Sequence, residues 1–106
     1  MRKLLVSVFL VSMLFSASVA CAVESALDRD VLRVGTESTF RPFEFRNDKN
    51  EIVGFDIDLI NAVGAKLGKK IEIVDTAFDS LIPSLLTKKI DIIAAGMSAT
   101  AERAKK

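Results

Sequence analysis

The order of apolar segments predicts an α/β fold in which a parallel sheet is flanked by helices. Short apolar runs of strand length, near residues 31–35, 71–74 and 90–94, alternate with two longer segments that carry apolar residues at helical spacing. Strand, helix, strand, helix, strand in that order implies right-handed parallel crossovers, because parallel neighbours need long connections. We therefore expect a three-layer α/β lobe from about residue 31 onward.

Residues 1–22 are predicted to be a secretory signal rather than part of the fold. Two basic residues precede an apolar stretch at residues 4–15, and small residues follow it. Cleavage after Ala20 and cleavage after Ala22 both fit this pattern. An uncleaved membrane anchor is the less favoured alternative, because the apolar core is short and no stop-transfer charges follow it.

Cys21 is the single cysteine of the sequence, so no internal disulfide can form. Its position after Ser18-Val19-Ala20 resembles the lipobox of bacterial lipoproteins, although serine stands where that motif usually has leucine. Two outcomes stay open. Cys21 becomes lipidated after a signal that ends at residue 20, or the protein is secreted without a lipid.

Charge and residue types exclude several functional classes. The sequence holds 15 basic and 14 acidic residues, and the two basic residues of the predicted signal leave 13 against 14 beyond it. A basic stripe for nucleic acid is absent from the sequence. Since the sequence has no histidine and one cysteine, imidazole chemistry and thiolate metal clusters are excluded. We expect neither a cofactor nor a metal.

The first elements of the lobe have local sequence signals. Residues 23–30 form a polar, acidic lead-in that we interpret as a tether. An apolar run at residues 31–35 predicts the first strand and ends at a glycine. Two alternating segments, residues 40–46 and 52–55, enclose a cluster of turn residues and predict a small hairpin.

Both predicted helices follow from apolar spacing and from signals at their ends. Asp56 is a suitable N-cap for the first helix, and Gly68 is its predicted stop. The second helix follows Phe78, and Pro83 is tolerated where amides lack partners, in or next to the first turn. The predicted apolar faces consist of Leu59, Ile60, Val63 and Leu67 in the first helix, and of Leu81, Ile82, Leu85 and Leu86 in the second.

The last predicted strand, residues 90–94, leads into a segment that is suited to holding an anion at a helix start. Gly96 permits a close approach to the backbone, Ser98 offers a hydroxyl and an amide, and Arg103 supplies a planar fork that matches a carboxylate. Parallel sheets bind small molecules beyond the carboxyl ends of their strands. The alternative is a tight turn that carries a surface arginine.

Five segments match a known pattern in the right order: LRVGTE at 32–37, FRPFEF at 40–45, GFDIDL at 54–59, FDSLIPSL at 78–85 and DIIAAGMSATAER at 91–103. Together they resemble the polar amino-acid-binding proteins of bacterial ABC importers, the family 3 extracellular solute-binding proteins. The resemblance implies the two-lobed fold of type II periplasmic-binding proteins, which closes on one amino acid. Residues 31–106 would then be an incomplete N-terminal lobe, with the second lobe absent. We expect such a fragment to bind amino acids weakly or not at all by itself.

The resemblance also implies which residues meet the backbone groups of the ligand. Arg103 falls on the arginine that pairs with the ligand α-carboxylate, and Ser98 falls on the hydroxyl residue that supports the same carboxylate. Gly96 falls on a residue whose backbone meets the main-chain groups of the ligand. Ala95, its neighbour, belongs to the same set of expected ligand-binding positions.

Three further positions would face the ligand side chain. Phe40 and Phe78 fall on the aromatic positions that sandwich it, and Glu37 falls on a position that is often acidic in the family. Each phenylalanine has packing in the core as its alternative, and a glutamate in a loop is commonly just solvated. A ligand-facing Glu37 would favour a cationic side chain such as that of arginine or lysine.

The implied function is capture of a polar amino acid outside the cytoplasmic membrane, for delivery to an ABC transporter permease. The resemblance implies a monomeric, non-enzymatic protein that is periplasmic or otherwise extracytoplasmic, and that is lipid-anchored if Cys21 is modified. Two alternatives on the same scaffold stay open. One is an enzyme that resembles periplasmic cyclohexadienyl dehydratases, and the other is the sensor domain of a membrane receptor.

Overall fold

The computed structural model describes residues 25–106, so the predicted signal and Cys21 lie outside the described residues. The described part contains two small sheets and two α-helices. The strands are β1 (Val31–Thr36), β2 (Thr39–Phe40), β3 (Glu44–Arg46), β4 (Ile52–Val53), β5 (Lys70–Asp75) and β6 (Ile92–Ile93). The helices are α1 (Phe55–Leu67) and α2 (Phe78–Leu86), and short 3-10 turns span Ala26–Asp28 and Arg103–Lys105.

The main sheet is parallel, with strand order β5-β1-β6. In its register Val31 lies opposite Lys70, and Val34 lies opposite Ile92. The central position of β1 explains why its apolar side chains Leu32 and Val34 are fully buried. The predicted parallel α/β fold is confirmed, although the third strand is only two residues long.

The two helices cover opposite faces of the main sheet. Gly64 of α1 packs against the Ile71 side chain of β5, whereas Leu81 of α2 packs with Val74 of the same strand. Side chains alternate along a strand, so Ile71 and Val74 point to opposite faces. The chain therefore winds outward from β1 in both directions. Such a topology has its switch point at the carboxyl ends of β1 and β6, where parallel sheets bind ligands.

The second sheet is antiparallel and has the order β2-β3-β4. The predicted hairpin is present as β3 and β4, where Phe45 pairs with Val53, and β2 adds a third strand through Phe40 and Glu44. Backbone hydrogen bonds from Phe55 and Asp56 to residues 42 and 43 attach this sheet to the start of α1.

Helix α1 differs from its prediction at its start and on its buried face. Gly54 is its N-cap, and the Asp56 side chain is not used as a cap. The buried face consists of Ile57, Ile60 and Gly64, and among the predicted apolar residues Leu59 and Leu67 are about half exposed. The end at Gly68 is confirmed, since this glycine adopts the left-handed conformation with φ of 66°.

Helix α2 begins at Phe78 itself, whereas the helix was predicted to start after this residue, with Pro83 in or next to its first turn. Pro83 is the sixth residue of the helix and therefore lies in its second turn. Leu81 is fully buried and forms the core with Ile90 and Ala95. Leu85 and Leu86, which were predicted to share the buried face, are 37% and 60% exposed. In residues 25–106, neither helix is long and apolar enough to cross a bilayer.

The described part of the lead-in, residues 25–30, lies against the lobe. Ser25 caps the first 3-10 turn, and Lys69 Nζ donates a hydrogen bond of 2.6 Å to the Leu27 carbonyl. Arg29 forms an ion pair with Asp91, which precedes β6. These contacts tie the start of the described chain to both edges of the main sheet.

Asp91 is the centre of a charged cluster at the amino end of β6. Its side chain is 4% exposed and accepts hydrogen bonds from the Arg33 amide at 2.8 Å, the Arg33 guanidinium and Arg29. Burial would raise the pKa of Asp91, but the hydrogen bonds from Arg33 and Arg29 outweigh it and lower the pKa to about 2. The cluster fixes the short β6 strand beside β1.

Candidate functional site

The loops that follow β1 and β6 meet at the switch point of the main sheet. Phe40, which follows β1, lies directly over Gly96, which follows β6. A Cβ atom on Gly96 would come within 2.8 Å of the Phe40 ring, and the backbone of Gly96 has a φ of 55°. Glycine is therefore required at this position for two reasons, the left-handed backbone conformation and the close contact with the Phe40 ring.

The backbone of Gly96 is held from inside the lobe. Its N–H donates a hydrogen bond of 2.8 Å to Oδ2 of Asp56, in the first turn of α1. This bond is the reason that Asp56 does not cap its own helix, which the sequence had predicted. The N–H of Gly96 is therefore already paired within the protein.

Arg103 is placed beside two of the other predicted site residues. Its Nη1 donates a hydrogen bond of 2.9 Å to the Ser98 carbonyl, and its guanidinium carbon lies 5.3 Å from the centre of the Phe78 ring. Across residues 25–106, no acidic side chain forms an ion pair with Arg103. Its charge and its remaining donors are thus available to a carboxylate.

The predicted helix start at Arg103 is a three-residue 3-10 turn, Arg103–Lys105. This is shorter than we expected, because Thr100 caps the Arg103 amide at 3.1 Å and the chain tightens there. So short a turn supplies little helix dipole. The positive charge of the site therefore comes from the guanidinium.

The remaining predicted residues differ in how they face solvent. Ser98 is exposed, while the side chain of Ala95 is buried in the core, so only the backbone of Ala95 can meet a ligand. Phe40 is 46% exposed, and its ring contacts that of Phe43 at 5.0 Å between centroids. Phe78 is half-buried and packs on the core beneath Arg103.

Glu37 lies in the loop after β1 with its carboxylate fixed locally. The Thr39 hydroxyl donates at 2.7 Å to its carboxylate oxygens. No basic side chain among the described residues pairs with Glu37. The loop after β1 therefore carries a negative charge that no described basic side chain neutralises, three positions before Phe40 in the sequence.

Glu44 is a buried acid that sequence reasoning did not single out. Its side chain is 1% exposed, and neither carboxylate oxygen has a hydrogen-bond partner among residues 25–106. Burial first, and then the nearby carboxyls of Asp56 and Glu37, together raise the pKa of Glu44 to about 7. The only sequence signal was its place within FRPFEF, where alternation leaves open which face of a short strand is buried.

A second unpredicted cluster joins the loop after β1 to the end of β5. Asp75 accepts a hydrogen bond of 2.8 Å from the Ser38 hydroxyl and forms an ion pair of 2.9 Å with Arg46 of β3. Burial would raise the pKa of Asp75, but the bonds from Ser38 and Arg46 lower it overall. The cluster anchors the antiparallel sheet that carries Phe40 and Glu44.

A cavity of about 430 Å³ lies on the α2 side of Arg103. Its lining includes Phe78, Pro83, Leu86 and Arg103, and it does not reach Phe40. Two of the predicted site residues, Arg103 and Phe78, thus lie together at this cavity. In the part of the chain that the structure describes, no group of three acidic, histidine or cysteine side chains could hold a metal ion.

Residues 32–106 match the family described as bacterial extracellular solute-binding proteins, family 3. The histidine-binding periplasmic protein of Escherichia coli (strain K12) is 41% identical over 103 residues, which cover 97% of this chain and 38% of that protein. ABC transporter arginine-binding protein 1 of the same strain is 40% identical over 105 residues, which cover 99% of this chain and 40% of that protein. The chain thus spans less than half of the length of these relatives.

Solved structures show the same similarity. The arginine-bound form of domain 1 from TmArgBP, the ArgBP of T. maritima, is 50% identical with a TM-score of 0.74. The match covers 79% of this chain and 67% of that domain. The relatives named here are amino-acid-binding proteins, and one of them has been solved with arginine bound to a single domain.

Proposed function

Because the chain belongs to the bacterial extracellular solute-binding proteins of family 3, we propose that it binds a free amino acid with a cationic side chain, arginine above all. In this proposal residues 31–106 supply the first lobe of the site. The support from relatives is that their names specify histidine and arginine as ligands, and that the solved domain carries arginine.

The observation that carries the proposal is the free guanidinium of Arg103 at the carboxyl edge of a parallel sheet. An arginine without an acidic partner offers two parallel donors that match the oxygens of an α-carboxylate. The hydrogen bond to the Ser98 carbonyl and the ring of Phe78 fix the direction of the guanidinium. The charge is therefore oriented before a ligand arrives, which reduces the entropy lost on binding.

The preference for a cationic side chain follows from Phe40, Phe78 and Glu37. A planar guanidinium stacks well on aromatic rings, and an ammonium is also attracted to their faces. Glu37 adds a negative charge that no basic residue of the described chain neutralises. A neutral polar ligand such as glutamine would gain from the rings but not from this charge.

The wider setting belongs to the same proposal. We place the protein outside the cytoplasmic membrane, with residues 1–22 as signal, residues 23–30 as tether, and a lipid on Cys21 as one of the two outcomes given above. We propose that it acts as a monomer. We also propose that it delivers its ligand to an ABC permease, and the name of one relative, an ABC transporter arginine-binding protein, supports this role. If a second lobe closed over the ligand, its added contacts would shift the equilibrium between the open and closed conformations toward the closed one.

The arginine-bound domain 1 from TmArgBP leads us to revise one expectation from the sequence. Since one domain of a relative holds arginine, we now propose that residues 31–106 bind arginine measurably by themselves. An open site leaves the carboxylate and its partner in contact with water, which weakens their attraction.

Calorimetric titration of the chain with L-arginine, L-lysine and L-glutamine tests this proposal. We expect binding of arginine and lysine to exceed that of glutamine, and Glu37→Gln to lower the affinity for arginine by about threefold to fivefold, the size of an exposed ion pair. Glu51→Gln removes an exposed acid from a turn remote from the site and serves as the control. Equal binding of arginine and glutamine, or no binding of either, would contradict the proposal.

A further inference from the structure

Glu44 lies beneath the turn that follows β6. Strand β3 directs its side chain into the lobe, where it is 1% exposed. Its Oε1 lies 3.7 Å from the position that a Cβ atom on Gly96 would occupy. A carboxyl group is thus buried directly under the residue whose backbone we assign to ligand binding.

Asp56 connects the same turn to the antiparallel sheet. Its amide donates a hydrogen bond of 2.9 Å to the Phe43 carbonyl, next to Glu44 in sequence. Its carboxylate accepts the hydrogen bond of 2.8 Å from Gly96. Asp56 is therefore in contact with the Gly96 turn on one side and with the residues around Glu44 on the other.

The surroundings of Glu44 contain no compensating positive charge in the described chain. The charged groups that face it are Asp56 from α1 and Glu37 from the loop after β1, both acidic. No ion pair within residues 25–106 involves Glu44 or Asp56. An ionised Glu44 would be desolvated and repelled by the Asp56 carboxylate, so Glu44 keeps its proton to a higher pH than usual.

We propose that Glu44 is a positioning residue of the amino-acid site, acting through Asp56 on Gly96. With its proton, Glu44 can donate to the Asp56 carboxylate, which keeps that carboxylate in place to hold the Gly96 amide. Without the proton, two neighbouring carboxylates repel each other and the hold on the Gly96 turn weakens. The inference rests on the proposed function for its link to affinity, but the hydrogen bond from Gly96 to Asp56 and the burial of Glu44 beside them are present without a ligand.

The pH dependence that follows has a defined sign. The pKa of Glu44 is raised from its usual 4.5 to about 7 in the folded protein. The contribution of this raised pKa to the free energy of unfolding is therefore fully present below about pH 4.5. It is lost as the pH rises to about 7. Since the turn is best held when Glu44 is protonated, we expect the affinity for arginine to fall by about threefold to tenfold between pH 6 and pH 8.

The first test follows the Gly96 amide resonance of the ligand-free chain by NMR from pH 5 to pH 8.5. We expect its shift to titrate with a midpoint near the pKa of Glu44, about 7. In Glu44→Gln, which retains a donor and cannot ionise, this titration should disappear. Asp48→Asn removes an exposed acid from the turn before β4 and should leave it unchanged. A Gly96 resonance that does not titrate, or that titrates equally in Glu44→Gln, would overturn the inference.

The second test measures arginine binding by calorimetry at pH 6 and pH 8. The wild-type chain should lose affinity at pH 8, whereas Glu44→Gln should bind equally at both values, close to the wild-type affinity at pH 6. Wild-type affinity that is equal at both values would overturn the positioning role. If the chain bound no arginine at pH 6 or at pH 8, the proposed function would be overturned instead. The NMR titration of the Gly96 amide would then still decide whether the protonation of Glu44 affects the Gly96 turn. Because the NMR titration of Gly96 can be measured on the wild-type chain, the test remains possible even if Glu44→Gln fails to fold.

Discussion

Replacing Arg103 with alanine is expected to lower the affinity of the chain for arginine by about 100-fold, because two charge-assisted hydrogen bonds to the α-carboxylate disappear. Arg103→Lys keeps the charge but loses the planar fork, so we expect an intermediate loss of about tenfold. Calorimetric titration at pH 6 measures both. Lys105→Ala, which removes a nearby exposed charge, should change the affinity by less than about threefold.

The loss at Arg103 should appear in binding and not in folding. Arg103 forms no ion pair in residues 25–106, so its removal leaves no acidic side chain unpaired. The folded state loses only the hydrogen bond to the Ser98 carbonyl and the contact with Phe78. We expect the free energy of unfolding to change by less than about 1 kcal/mol. A variant that folds normally and binds arginine like the wild type would place the site elsewhere.

Asp91→Asn is expected to reduce the free energy of unfolding by about 2 to 3 kcal/mol, the largest effect on stability that we predict. The 4% exposed carboxylate holds Arg29 and Arg33, and an amide cannot accept from both as a charged group does. We expect a smaller loss of unfolding free energy than for a fully buried ion pair, because the side chains of Arg29 and Arg33 are both about one third exposed. Urea unfolding at pH 7 measures it.

The pH dependence of stability gives an independent check on Asp91. Because its pKa is lowered to about 2, its contribution is present above about pH 4 and is lost as the pH falls toward 2. Asp91→Asn should remove this part of the acid sensitivity, whereas Asp48→Asn should retain it. If Asp91→Asn unfolded at the same urea concentration as the wild type at pH 7, the cluster would not be needed for stability.

The main sheet could be predicted from sequence because its signals are local and mutually consistent. Apolar runs of strand length, separated by segments of helix length, permit few arrangements other than parallel crossovers. Gly68 ended its helix as predicted, since a left-handed residue at a helix end is a local requirement. The family was also evident from five short segments, and the match of residues 32–106 confirms it.

Several features of the candidate site could not be predicted, because they depend on partners far away in sequence. Asp56 has the local signature of a helix cap, yet its carboxylate binds an amide 40 positions later. Glu44 has the sequence signal of a surface residue in a hairpin, and it is buried only because α1 and the turn at Gly96 lie against it. Spacing alone also could not show that Leu59 and Leu67 lie partly in solvent, because periodicity defines a face but not what covers it.

Chemical-shift mapping of the isotope-labelled chain during titration with L-arginine tests the central claim most directly. We expect the largest changes in the loops after β1 and β6, at residues 37–40 and 95–98, and at Phe78 and Arg103. Changes centred instead on the cavity side of α2, at Ile82, Pro83 and Leu86, or an absence of localised changes at saturating arginine, would contradict it.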